Sequence, residues 1–87
     1  MDVIYPREDA RIVVPLELDG SKGKTVFEVA HRRPNAEVHW HLDEAYVGTT
    51  RQNHVLGLQP SPGSHVLTLV DEDGEVLERA FEVIKAN

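Results

Sequence analysis

The sequence predicts an all-β fold, an antiparallel sandwich of seven to eight short strands, and three observations predict it. Turn-forming residues recur about every eight to twelve positions, the spacing of a sandwich or small barrel. Over residues 37–43, Val38, Trp40 and Leu42 alternate with Glu37, His39, His41 and Asp43, the period-two pattern of a half-buried strand. No window carries a convincing helical period. The nearest, residues 73–84, is rich in β-branched residues and follows an Asp-Gly turn, so it too is expected to be a strand.

The elements follow in order. Val3-Ile4-Tyr5 is an apolar run stopped by Pro6, and Arg11-Ile12-Val13-Val14 is another stopped by Pro15. Proline removes a ladder donor and is confined to sheet edges, so the pair is expected to be an edge strand that switches sheets. Asp19-Gly20-Ser21-Lys22-Gly23 has the composition of a loop. A strand over residues 25–31 is closed by Arg33-Pro34-Asn35. The alternating strand around Trp40 comes next, then a tight Asp43-Glu44 turn into the short partner Ala45-Tyr46-Val47-Gly48. Residues 53–58 form a strand ended by Gln59-Pro60-Ser61-Pro62-Gly63. Residues 65–70 and 76–84 form a hairpin across Asp71-Glu72-Asp73-Gly74, and Lys85-Ala86-Asn87 are expected to fray.

A tryptophan on the middle strand fits the buried tryptophan on strand C of an immunoglobulin-like sandwich. That fold often carries a tyrosine corner two residues before a core position of strand F. Here His65 occupies the corner and Leu67 the core position, so a ring nitrogen of His65 is expected to make the corner hydrogen bond.

Composition narrows function. With 87 residues the chain is expected to be one domain, too small to combine a core with a deep substrate cleft, which favours a non-catalytic module over an enzyme. There is no cysteine, hence no disulfide framework, and any zinc site needs histidine and carboxylate ligands. Fifteen acids against nine basic residues give a net charge of −6, with no basic stripe, which disfavours nucleic acid as a partner. No apolar run approaches the roughly 20 residues that span a bilayer, and no secretion signal is readable, so a mature domain or a piece of a longer chain is expected.

The residues then resemble a known family, the C-terminal domain of bifunctional penicillin-binding proteins of the 1C type. The resemblance rests on Ile4-Tyr5-Pro6 followed by Ala10-Arg11-Ile12-Val13-Val14-Pro15, and on Val38-x-Trp40-x-Leu42-Asp43 followed by Val47-Gly48. It continues in Pro62-Gly63-x-His65-x-Leu67-x-Leu69-Val70-Asp71 and in Asp73-Gly74 with Phe81-x-Val83. Together these span nearly the whole chain. Two positions depart from the pattern. Glu44 stands where the family has glycine, so the turn is expected to take another geometry, and Leu56 and Leu58 stand where a second tryptophan is expected. The resemblance implies an accessory module at the end of a membrane-anchored peptidoglycan glycosyltransferase and transpeptidase, on the periplasmic side. Its partners are then upstream domains of the same chain or a periplasmic protein, without direct membrane contact. The family's catalytic serine and lysine motifs lie upstream and match nothing here. A carbohydrate-binding module and a generic immunoglobulin-like spacer of an exported protein are the alternatives.

No catalytic, cofactor-binding or metal residue is assigned, and no cofactor is expected. His39, His41 and Asp43 share a strand face from which two histidines reach one zinc ion, but the solvent face of an alternating strand is the better explanation, since a closed metal site needs four ligands with supporting partners. His31 and His54 have no partner readable from sequence. Trp40 alternates with core residues and is expected to be buried, which leaves Tyr5 and Tyr46 as surface rings for a sugar. Ser64 and His65 are strand neighbours on opposite faces, so a serine nucleophile at Ser61 or Ser64 lacks its base. Asp71-Glu72-Asp73-Gly74 lacks the ligand spacing of a calcium loop and is expected to be a plain turn, with Arg32-Arg33 solvated.

Overall fold

The computed structural model describes residues 1–14 and 23–84. The stop expected at Pro15, residues 19–22 of the loop expected at residues 19–23, and the fraying expected at residues 85–87 lie outside the described residues. Among the described residues there are eight strands and no helix: β1 (Asp2–Tyr5), β2 (Ala10–Val13), β3 (Thr25–Ala30), β4 (Glu37–Leu42), β5 (Ala45–Arg51), β6 (Val55–Leu58), β7 (Gly63–Asp71) and β8 (Val76–Ile84). They make a three-stranded sheet in the order β1-β3-β6 and a five-stranded sheet in the order β2-β8-β7-β4-β5.

The sheet switch occurs at Pro6. β1 pairs antiparallel with β3, the Tyr5–Pro6 peptide is cis, and β2 then joins the other sheet beside β8. The β2–β8 pair is parallel, with Ala10 opposite Phe81 and Val13 opposite Ile84, which corrects the expectation of a wholly antiparallel sandwich. The reason is topological. The chain keeps its heading through the switch and lands beside the last strand, which runs the same way.

Alternation then builds the core. Phe27 and Val29 of β3 face Val38 and Trp40 of β4, Leu67 and Leu69 of β7, and Phe81 and Val83 of β8, all buried. Phe27 and Phe81 meet edge to face across the two sheets at 5.3 Å between ring centroids. Such pairs add about 0.5–1.5 kcal/mol beyond the area they bury.

β5 is longer than the four residues read from sequence, because a bulge carries it onward. Trp40 pairs with Gly48 but His41 pairs with Tyr46, so Val47 is the extra residue. The bulge resets which way side chains point. Tyr46 and Thr49 share the outer face, their hydroxyls 2.6 Å apart, while Thr50 turns inward to Trp40. A regular strand added at this edge meets one face parity before the bulge and the opposite one after it, which protects an edge that has no proline and only a terminal arginine.

The β4–β5 turn corrects a second expectation. Asp43 (φ 52°) and Glu44 (φ 72°) both lie in the left-handed region, the two-residue hairpin pattern that glycine would have served. Glu44 holds that geometry without its own hydrogen bond or ion pair among the described residues. Asp43 supplies the compensation by bonding across to β7. Replacing Glu44 with glycine is therefore expected to stabilise the fold by about 0.5–1 kcal/mol, read as a raised urea midpoint, since the cost of a Cβ at positive φ exceeds the added chain entropy. An unchanged or lowered midpoint would show that the turn carries no such strain.

Candidate functional site

Three polar groupings sit within this frame, and each is built by the strands that carry it. The first is the corner at the start of β7. His65 is buried against the core, stacked at 5.5 Å on Phe81. Its Nε2 lies 2.6 Å from the Ser61 carbonyl oxygen, and its Nδ1 lies 2.5 Å from Oδ2 of Asp43. A carbonyl and a carboxylate only accept, so these partners assign protons to both ring nitrogens and make the ring an imidazolium. Burial, the largest single influence, favours the neutral ring, but the bonds to Ser61 and Asp43 and the Asp43 charge outweigh it and raise the His65 pKa. Asp43 answers in the other direction. Burial pulls its pKa up, but the bonds from His65 and the Val66 N–H together lower it. The expected corner bond is thus made by histidine, and Leu67 two residues on is fully buried.

The second grouping closes the opposite end. The β7–β8 hairpin turns through Asp71 to Gly74, with the Gly74 N–H donating to the Asp71 carbonyl and Gly74 (φ 89°) taking the left-handed position. Asp71 Oδ1 accepts the N–H groups of Asp73 and Glu75, both at 2.9 Å. Its Oδ2 accepts from His31 Nε2 at 3.0 Å. The His31 bond, first among several causes, lowers the Asp71 pKa. His31, Asp71 and Glu75 each bring a ligand-type atom within 4.8 Å of one another. Proton placement argues against a cation there. His31 Nδ1 accepts the Arg33 N–H at 3.0 Å, so the neutral ring carries its proton on Nε2, the nitrogen a metal would need. The cluster latches the β3–β4 loop to the hairpin, and the Arg33–Asp73 ion pair reinforces it.

The third is a chain through the core edge. Trp40 Nε1–H donates to Thr50 Oγ1 at 2.8 Å, and the Thr50 hydroxyl meets His54 Nδ1 at 2.7 Å. Thr50 Oγ1 accepts the indole N–H, and among the described residues its own proton has no acceptor other than His54 Nδ1, so the hydroxyl donates there and the His54 proton sits on Nε2. That Nε2 is buried and has no hydrogen-bond partner among the described residues. Burial, first, and then the unfavourable approach of a second imidazole charge at the neighbouring His31 push the His54 pKa down.

The residues weighed from sequence fall apart or into these groups. His39 bonds Thr49 Oγ1 at 2.9 Å, His41 packs edge-on against Tyr46, and Asp43 is committed to His65, so the three offer no common ligand point. Ser61 contributes only its carbonyl. Ser64 is exposed beside a buried His65 whose nitrogens are both engaged, so it has no base. Trp40 is fully buried and Tyr5 leans on Phe27, which leaves Tyr46, 61% exposed, as the open ring. His31 and His54, opaque in sequence, are the informative histidines. Their only readable signal is position, each at a strand boundary where loops converge.

Comparison with known proteins adds two findings. The family model of the penicillin-binding protein C-terminus matches residues 1–81. The chain belongs to the penicillin-binding protein C-terminus family. Among curated proteins none matches it. Among solved structures it is similar to the fibronectin(III)-like modules of Clostridium thermocellum CbhA, with a TM-score of 0.71 and 12% identity over 99% of this chain and 98% of that one. At that identity the likeness establishes the sandwich fold alone. Within the penicillin-binding protein C-terminus family, the segments that carried the resemblance now have places. Ile4-Tyr5-Pro6 is the sheet switch, the Trp40 strand is the core of the larger sheet, and Pro62-Gly63-x-His65 is the corner.

Proposed function

We propose that the chain is a non-catalytic accessory module of a bifunctional peptidoglycan glycosyltransferase and transpeptidase, held on the periplasmic side of the inner membrane. It positions the parent enzyme by contact with upstream domains or a periplasmic protein. The family match over residues 1–81 carries this reading. The polar geometry is consistent with it, since His31, His65, Asp43 and Asp71 are bonded into turns and a loop latch. Exposed apolar residues on the outer face of the larger sheet also support a contact role. Val13 and Ile84 are register partners there, and Val66 and Val76 lie on the same face.

Two measurements test the proposal. The reading frame upstream of Met1 is expected to encode a membrane anchor, then glycosyltransferase and transpeptidase domains. In that parent, deletion of residues 1–87 is expected to leave glycan polymerisation and penicillin acylation unchanged while abolishing crosslinks to its neighbours. A frame without those domains, or a deletion that stops catalysis itself, would overturn it.

A further inference from the structure

Among the described strands, β6 is the one sheet edge with no charged residue, proline or bulge to protect it. β1 carries Asp2 and shifts register between Val3 and Tyr5, β2 carries Arg11, and β5 has its bulge and Arg51. Val55-Leu56-Gly57-Leu58 instead follows β3 in unbroken register, from Val55 opposite Glu28 to Leu58 opposite Thr25. One bond shows which main-chain groups the pairing leaves over. The Val29 N–H donates to the His54 carbonyl at 2.9 Å, so by alternation Leu56 and Leu58 turn their N–H and C=O groups to β3. Val55 and Gly57 turn theirs to the open edge, where no described residue meets them. Gly57 has no side chain to shield that row. Leu56 shares the inward face with its register partner Phe27, and Leu58 follows two residues on, yet both are only half-buried. The edge therefore offers unpaired ladder groups beside a partly open apolar flank.

We infer that this edge binds an extended segment of a separate protein, which adds to the sheet as a strand beyond β6. Only a polypeptide backbone offers donors and acceptors in the alternating order that Val55 and Gly57 present. Water meets those groups in the free chain, so the gain comes from the flank. Alternate side chains of the segment face inward and cover Leu56 and Leu58, and these are apolar. The remaining side chains face solvent beside Val55, itself exposed. A second copy of the chain is disfavoured because each copy carries −6, and the same charge favours a segment with basic residues. The inference deepens the contact role proposed above and rests on it, placing a contact on the smaller sheet. The test needs only the 87-residue chain, so its failure and that of the parent-enzyme reading are told apart.

The probe is acetyl-Lys-Val-Thr-Val-Thr-Val-Lys-amide, titrated into the chain and followed by proton–nitrogen NMR and amide hydrogen exchange. Saturable shifts are expected along β6. At saturation the Val55 and Gly57 amides are expected to exchange at least about five-fold more slowly, while those of Leu56 and Leu58, already bonded to β3, change little. The same peptide with its internal amides N-methylated keeps the side chains and charge and is expected to bind at least about ten-fold more weakly. Gly57→Pro removes only an edge-facing N–H and is expected to abolish binding with the fold intact. If that variant does not fold, the N-methylated peptide makes the same comparison on the unmodified chain. Equal binding of the N-methylated peptide, protection without the alternation, or no saturable shift would overturn the edge. Protection of Val55 and Gly57 that grows with protein concentration and needs no peptide would overturn the separate partner and make the occupant a second copy.

Discussion

Replacing Trp40 with alanine is expected to lower the unfolding free energy by about 3–5 kcal/mol, a large share of what holds a small domain folded. The ring is fully buried between the sheets, so its removal leaves a cavity lined by side chains of β3, β4 and β7 that are themselves in van der Waals contact with one another. A polar loss adds to the apolar one. Thr50 Oγ1 loses the indole donor, and the bond that holds His54 in its neutral tautomer loses its anchor. Trp40→Phe separates the two contributions. It keeps most of the packing and drops only the N–H, so it is expected to cost about 1–2 kcal/mol. Urea unfolding followed by circular dichroism reads both, since Trp40 is the chain's one tryptophan and its fluorescence disappears with it. A loss below about 1 kcal/mol for Trp40→Ala would contradict the core position of the ring.

The same residue shows what the sequence makes legible. Period-two alternation needs only two neighbours on either side, and Val38, Trp40 and Leu42 declare their inward face without help from the rest of the chain. The proline-broken start is equally local, and β1 and β2 fall in different sheets as Pro6 requires. The bulge at Val47 is different. Nothing in Ala45-Tyr46-Val47-Gly48 announces that β5 continues to Arg51, because the decision rests on Thr50 reaching Trp40 from across the ladder. The positive φ of Glu44 is likewise a tertiary outcome. The bonds of Asp43 to His65 and Val66 hold the turn in a conformation the local residues do not prefer.

The polar groupings divide along the same line. His65 was readable because a corner has a fixed offset from a core position, and the offset survives the change from tyrosine to histidine. His31 and Asp71 are 40 residues apart, and His54 depends on a threonine whose inward direction the bulge creates. Proton ownership lies further still from the sequence. It follows from which atoms can only accept and which can only donate, and this is what turns three similar histidines into a cation, a neutral latch and an unpartnered donor.

That assignment makes the second large prediction one of pH. His65→Gln is expected to cost about 2 kcal/mol near pH 6, the scale of a hydrogen bond to a charged partner, reduced by the partial exposure of Asp43. Because folding raises the His65 pKa, its contribution is fully present below the unfolded value near 6.5 and is lost as pH rises through the folded value. Because folding lowers the Asp43 pKa, that contribution is present above the unfolded value of 3.8 and is lost as pH falls through the folded one. The pair therefore stabilises most strongly between about pH 4 and 6.5. His54 works against this trend, since a buried ring with a lowered pKa favours the folded state above its unfolded pKa and loses that contribution as pH falls. The total stability of the protein can then look nearly flat while the two histidines oppose one another. Subtracting the His65→Gln curve from that of the unmodified chain removes the His54 part, which both share. The difference in urea-unfolding free energy is expected to be largest in the mildly acidic range and to shrink as pH rises through the raised folded value of His65. Asp43→Asn should flatten it at the acid end as well, by removing the carboxylate whose ionisation sets that limb. A difference curve without slope across the whole range would mean that the His65 ring is neutral, and that the Asp43 contact is an ordinary hydrogen bond with no charge behind it.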